Sequence, residues 1–415
     1  MLYLVLPYFG LFTFTNHEEN LYGGISDYFV ISYSIHLIII FTVIFSILYI
    51  TKTDKKYNSR TILNDKLLNM VFNKSIIFLL IAIFIMLFIF GAINVVLGNS
   101  GRGELRVTLG FFGFLYNFFT MFLPAGIIVI ASIYYQLSNR SKKFRIKLYF
   151  IYFLGLLIGV LTGFKFTAIL ILSAGLVQMS DSIRVKSLIL IGLLFLGLTV
   201  FSAFYFMGLD GFTALNYVFA RATSVACEGT VGVWNLYPNG AEDAWMALLY
   251  SVGNKLASLL TGYQVTDVEF LKVNITRLIG YLTYPKASEA LSGAFNLTVT
   301  NFGEGIYYFG KYYYFIFSIL TGLILGFTIR YFFITKTANH ILTNTMISVY
   351  MMITVLPWLM GGVIGNLFGI PTFIYMLLLY GSLKIITSKL SYRRLRNEDT
   401  IYNRQLSTRS KCTSD

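Results

Sequence analysis

Apolar runs long enough to cross a bilayer recur from one end of this chain to the other, most of them separated by short polar stretches. A helical crossing needs about 20 residues to span a hydrocarbon core of about 30 Å. Inside that core every backbone N–H and C=O must be bonded within the protein, which makes runs of this length helical spans. Ten segments stand out, at roughly 2–15, 28–50, 75–97, 111–136, 148–162, 166–180, 188–207, 312–333, 341–360 and 364–386. Charged residues are only 12% of the chain, about half the share of about 25% in soluble domains. The fold class expected is therefore all-α, a polytopic membrane protein of about ten helices. Aromatic residues at 17% exclude a disordered chain, and two cysteines in 415 residues exclude a secreted disulfide scaffold.

The basic excess sorts by side. Segment 2–15 is short, either an anchor or a tilted partial span; no Lys or Arg precedes it and no small-residue cleavage site follows, unlike a cleaved signal peptide. Segments 148–162 and 166–180 are separated only by Gly163, Phe164 and Lys165. With ten spans and both termini inside, 51–74, 137–147, 181–187, 334–340 and the tail face inward. With the flanks Arg330 and Lys384, these hold 23 Lys and Arg against 6 acids, and the outer segments hold 9 against 12. Treating 148–180 as a single crossing would put the arginine-rich tail outside, against the positive-inside rule. The pair is therefore read as a hairpin with Lys165 at its outer tip. The net charge of +14 then orients the protein and may not be taken as a nucleic-acid surface; the tail meets membrane lipid instead. The expected location is the inner (plasma) membrane of a bacterium, multi-pass.

Four regions follow: N-terminal spans in 1–207, one large outer loop in 208–311, C-terminal spans in 312–388 and a basic tail in 389–415. A loop of that length is expected to hold structure of its own. In 267–282, Val268, Leu271, Ile275, Leu278, Ile279 and Leu282 recur at helical spacing, with Arg277 nearly opposite. Residues 247–260 are also amphipathic. Both segments suit an interfacial position from which they roof a cavity between the helices. Tyr307, Tyr308, Tyr312, Tyr313 and Tyr314 read as an aromatic belt where the chain re-enters the membrane.

His17, His36 and His340 fall outside, in a span and inside, so they share no metal site. There is no Cys/His zinc spacing, no Asp-x-Asp pair and no P-loop. No metal and no cofactor is expected. What remains outside is a small set of cations and carboxylates. Arg102 and Arg106 stand four apart, which on a helix puts two guanidiniums on one face fit for a diphosphate; a solvated loop with Glu104 as partner is the plainer reading. Arg221 lies among Ala and Phe, with Glu228 seven residues on as a possible structural partner. Arg277 faces either water or the mouth of a cavity. Glu304, between Gly303 and Gly305, is either a partly desolvated general base or an interfacial carboxylate beside Lys311. Lys165 either snorkels or adds a cation to a phosphate site. Glu18 and Glu19 read as an ordinary outer-loop pair.

Three places resemble the Wzy-type oligosaccharide repeat-unit polymerases of O-antigen and capsule synthesis. Asn301-Phe-Gly-Glu-Gly-Ile-Tyr-Tyr-Phe-Gly310, followed by Gly322 and Gly326, looks like that family's F-G-E pattern and glycine-bearing helix. Leu161-Thr-Gly-Phe-Lys-Phe-Thr-Ala-Ile-Leu170 looks like its T-G-x-R hairpin, with Lys165 keeping the cation but losing the planar fork. Phe219-Ala-Arg-Ala-Thr223 opens the outer loop in a similar way. The resemblance implies a metal-independent glycosyltransferase of GT-C type. Its donor and acceptor would be polyprenyl-diphosphate-linked glycans, and a chain-length regulator would work beside it. Arg221 and Arg277 would then face the donor diphosphate and Glu304 the acceptor hydroxyl, with Arg102, Arg106 and Lys165 as further substrate-binding cations. Two other classes compete. A lipid-linked oligosaccharide flippase should show duplicated halves and ionisable residues in its spans, and an O-antigen ligase would share the layout and the arginines.

Overall fold

The computed structural model describes residues 26–50, 65–96, 113–138, 141–161, 165–179, 210–222, 224–253, 258–260, 275–283, 297–335, 340–361 and 364–387, with Tyr8 and a few other single residues. All regular structure among them is helical. Seven helices are long and apolar enough to cross a membrane: α1 (Asp27–Ile50), α2 (Asp65–Ile89), α3 (Leu115–Leu137), α4 (Lys142–Leu161), α10 (Asn301–Thr335), α11 (Ile341–Leu359) and α12 (Ile370–Thr387). Between them lie the shorter α5 (Lys165–Gln178), α6 (Gly211–Ala222), α7 (Ser224–Leu236), α8 (Ala244–Val252) and α9 (Ile275–Thr283). The chain is a multi-pass membrane protein. The expected segments 2–15 and 188–207 lie almost wholly outside the described residues. Tyr8, the exception in the first, shares a hydrogen bond of 2.9 Å with Ser34 of α1.

Two cores organise the bundle. One is built by α2, α3, α4 and α5, with Val349 and Ile353 of α11 and Leu379 and Leu383 of α12. At its centre α3 is apolar on every side and buried from Leu123 to Tyr135, as a helix without a polar face must be. The other gathers α1, α7, α9 and α10 with Val355 and Trp358. One helix, α11, therefore serves both cores.

Local sequence explains the irregularities. Three spans carry a π-helical stretch, Ile85–Ile89, Phe118–Phe122 and Tyr350–Val355, and the second and third are followed two residues later by proline, Pro124 and Pro357. A proline ring collides with the carbonyl four residues back, here that of Thr120 or Ile353, and the wider turn gives that carbonyl room. Helix α10 would be about 52 Å long if straight, too long for one crossing. It breaks at Gly310 (φ 73°, ψ −179°) into 301–309 and a span over 311–335. Gly322 and Gly326 of that span seat α1: a Cβ on them would stand 2.7 Å from Val43 Cβ and 2.6 Å from Ile47 Cδ1. In the α4–α5 pair, Gly159 leaves room for the Ala168 backbone, so the two helices fold back on each other as a hairpin. Helix α2 begins ten residues earlier than the apolar run suggests, because Leu68, Val71 and Phe72 form a buried face among polar neighbours.

The helix ends sort into two sets. At one, the Gln136 side chain donates to the Gln178 carbonyl (2.6 Å), Asn344 Nδ2 donates to the Phe332 carbonyl (3.2 Å), and Lys147 Nζ donates to Asn69 and Asn73. At the other, the Ala241 N–H donates to the Tyr307 carbonyl and the Lys311 N–H to the Pro238 carbonyl, both at 2.8 Å. The charge count groups the connecting segments in the same way.

Candidate functional site

The run Asn301–Phe309 forms a helix embedded in protein. Its start is fixed by Thr300, whose N–H donates to Thr230 Oγ1 at 2.9 Å while the two threonine hydroxyls pair at 2.8 Å. Phe302 stacks on Tyr33 of α1 with centroids 4.7 Å apart. The glycines flanking Glu304 serve close packing: a Cβ on Gly303 would lie 2.7 Å from Val299 Cγ1, and one on Gly305 3.1 Å from Phe317 Cβ. They are helical and enclosed.

Glu304 is 1% exposed. Trp358 Nε1 donates to its Oε2 at 2.8 Å, and the Ile364 N–H donates to its Oε1 at 2.6 Å. A buried carboxylate needs such donors, since an unmatched one costs several kcal/mol, on the order of its desolvation. Neither donor is a cation. Lys311, the partner considered from sequence, instead places Nζ 4.6 Å from the centroid of the Trp234 ring. In this arrangement Glu304 ties the 301–309 helix to the end of α11 and to the turn that leads to α12. An acceptor hydroxyl would reach it only if one of these donors let go.

The break after this helix is clasped by backbone. Gly240 (φ 84°) and Gly310 (φ 73°) face each other, and a Cβ on Gly310 would stand 2.7 Å from the Asn239 carbonyl carbon. The reciprocal bonds through Tyr307 and Lys311 hold the turn after α7 to the start of the span.

Arg277 lies on α9, whose Ile275, Leu278 and Ile279 enter the core that holds Phe302, Ile306 and Trp358. This apolar face packs on protein, where an interfacial helix was expected, and Leu282, counted on the same face, is 50% exposed. Arg277 is half-buried, and desolvation holds its pKa below the ordinary value. A guanidinium stays charged through such a shift, so the cost is that of a cation kept partly from water. Arg221 lies in the last turn of α6. Asp210 caps the other end: Oδ1 accepts from the Thr213 N–H at 2.9 Å and Oδ2 from the Thr213 hydroxyl at 2.6 Å, which holds the carboxyl below its ordinary pKa. Glu228 belongs to the next helix, α7. Lys165 is the first residue of α5, against the sense of the dipole. Arg102 and Arg106 lie outside the described residues.

The tyrosine belt divides. Tyr312 and Tyr313 are 78% and 61% exposed, whereas Tyr307 and Tyr314, seven apart, are buried in the core. The residues missed from sequence are the partners. Trp358 follows a proline at the end of a span and carries no motif. His36 Nδ1 bonds the Ser318 hydroxyl at 2.7 Å, and Thr321 donates to Asn301 Oδ1 at 3.0 Å. The detectable signal was polar residues within apolar runs, without a hint of which pairs meet. Comparison with protein-family models, curated proteins and solved structures finds no match to this chain.

Proposed function

We propose that this chain is a metal-independent membrane glycosyltransferase of the GT-C type. It polymerises polyprenyl-diphosphate-linked oligosaccharide repeat units into O-antigen or capsular polysaccharide on the outer face of the inner membrane. The observation that carries this reading is the build of Asn301–Gly310. The stretch with the family-like motif encloses an acidic side chain and joins the loop helices α7 and α9 to the ends of two spans. The chemistry suits such a place. The sugar-diphosphate bond is already activated, so the reaction needs cations where the lipid diphosphate leaves and a positioned acceptor hydroxyl. Arg277 and Arg221 take the diphosphate, with Lys165, Arg102 and Arg106 as further cations. Glu304 positions the helix beneath the acceptor in the arrangement described here, and acts as base only with a donor released.

The test is a gel of surface polysaccharide from a strain lacking the protein. A polymerase predicts loss of the ladder with core carrying one repeat unit retained. Loss of the single-unit band as well would overturn the reading in favour of a flippase or a ligase.

A further inference from the structure

At the end of the bundle away from Glu304, α2, α4 and α12 bring their cations together. Lys147 Nζ donates to Asn69 Oδ1 (3.1 Å) and Asn73 Oδ1 (2.6 Å), which pins α4 to α2. Lys74 Nζ donates to the Ile385 carbonyl at 2.8 Å, which pins α2 to the end of α12. Lys142, Lys143 and Arg145 stand exposed on the first turns of α4, and Arg145 Nε donates to the Tyr135 hydroxyl at 3.1 Å. These acceptors are neutral oxygens. They hold Lys147, Lys74 and Arg145 in place, and among the described residues Asp65 is the sole carboxylate in the three helices. One turn further along the same helix the surface becomes apolar: Ile146 and Tyr149 are 71% and 65% exposed, and Phe150 and Phe153 follow.

Clustered, exposed positive charge bordered by exposed apolar side chains has the layout of a phospholipid. The anionic headgroup meets the ammonium and guanidinium groups, and the acyl chains lie along the aromatic strip. We infer that the α2–α4–α12 end is a binding site for an anionic glycerophospholipid, with Lys142, Lys143 and Arg145 of α4 as its headgroup contacts. The site is independent of the function proposed above, since it lies at the opposite end of the bundle.

The full-length protein in detergent is titrated with phosphatidylglycerol or phosphatidylcholine of the same acyl chains, and bound lipid is counted by native mass spectrometry. Phosphatidylglycerol is retained in preference. K142Q/K143Q lowers that preference by about fivefold for each cation removed. K255Q/K286Q, which removes the same charge outside these helices, leaves it unchanged, and glycerol phosphate does not displace the lipid. Lys142 and Lys143 are exposed, and R145Q alone gives a second reading of the same surface. Equal retention of the two lipids overturns the inference. An unchanged preference in K142Q/K143Q, or an equal fall in K255Q/K286Q, does the same. Displacement by glycerol phosphate reduces the surface to an anion site and overturns the lipid assignment.

Discussion

Each end of this bundle buries a polar knot, and the two are built on opposite principles. At one, Glu304 is a single acidic side chain whose two oxygens are served by Trp358 and the backbone of Ile364. At the other, Gln178 Nε2 donates to Asn344 Oδ1 and, at 2.6 Å, to Ser348 Oγ; Asn344 Nδ2 reaches the Phe332 carbonyl and Thr335 Oγ1. Amides and hydroxyls both give and accept, so a neutral knot retains alternatives when one member is lost. A carboxylate that accepts from two donors leaves both stranded. The acidic knot is therefore the brittle one, and it sits where the loop helices meet the spans.

The comparison breaks first at Glu304. Each orphaned buried donor costs about 1–3 kcal/mol, so Glu304→Ala loses up to about 2–6 kcal/mol, partly offset by no longer burying a charge. Thermal unfolding in detergent reads this as the largest single loss in the molecule; an E304A protein that unfolds at the wild-type temperature would show that the carboxylate holds nothing together. Glu304→Gln turns an amide N–H toward one of the donors. Trp358→Phe in that background removes an opposing donor and restores part of the stability, a coupling of about 0.5–3 kcal/mol in a double-mutant cycle.

Next comes the clasp. Gly310 combines φ 73° with ψ −179°, a region open essentially to glycine alone and worth about 1–3 kcal/mol to any other residue. Gly310→Ala also drives a Cβ into the Asn239 backbone. Unfolding temperature should fall, and amide exchange should quicken around 237–241 and 307–311. Exchange unchanged there would mean that the clasp does not set the angle of the 301–309 helix.

The neutral knot should give less. Gln178→Ala strands one oxygen of Asn344, while Ser348 keeps its bond to the Asn344 carbonyl at 2.8 Å. The expected loss is about 1–2 kcal/mol. A loss as large as that of Glu304→Ala would erase the distinction between the two ends.

The seven spans among the described residues were legible because hydropathy acts locally. The sites were legible only in part. Glu304 stood out as an acid between glycines, but its donors lie 54 and 60 residues away in two segments that both read as membrane helix. Gln178 and Asn344 meet across 166 residues with nothing in either run to pair them. Periodicity placed Leu278 and Ile279 on the right face of α9, yet it could not say whether that face meets lipid or protein. The same pattern serves both, and only the position of α7 and α10 decides.

The smallest effect on stability is expected at Arg277, and it separates the two ends most sharply in function. The residue is half-buried on a helix already anchored by Ile275, Leu278 and Ile279. Arg277→Gln keeps much of the stem and the polar tip, so unfolding should shift by less than about 1 kcal/mol. If the cation meets a diphosphate, removing it strips charge stabilisation from the leaving group, worth about 10²–10³ in rate for a comparable donor. Arg277→Lys restores the charge but not the fork and should recover only part of the activity. Polysaccharide ladders and unfolding curves are then read on the same membranes. A lost ladder with an unshifted curve makes this end chemical as well as structural. A normal ladder with an unshifted curve returns Arg277 to an ordinary water-facing cation and leaves the Glu304 end, like the Gln178 end, a matter of architecture.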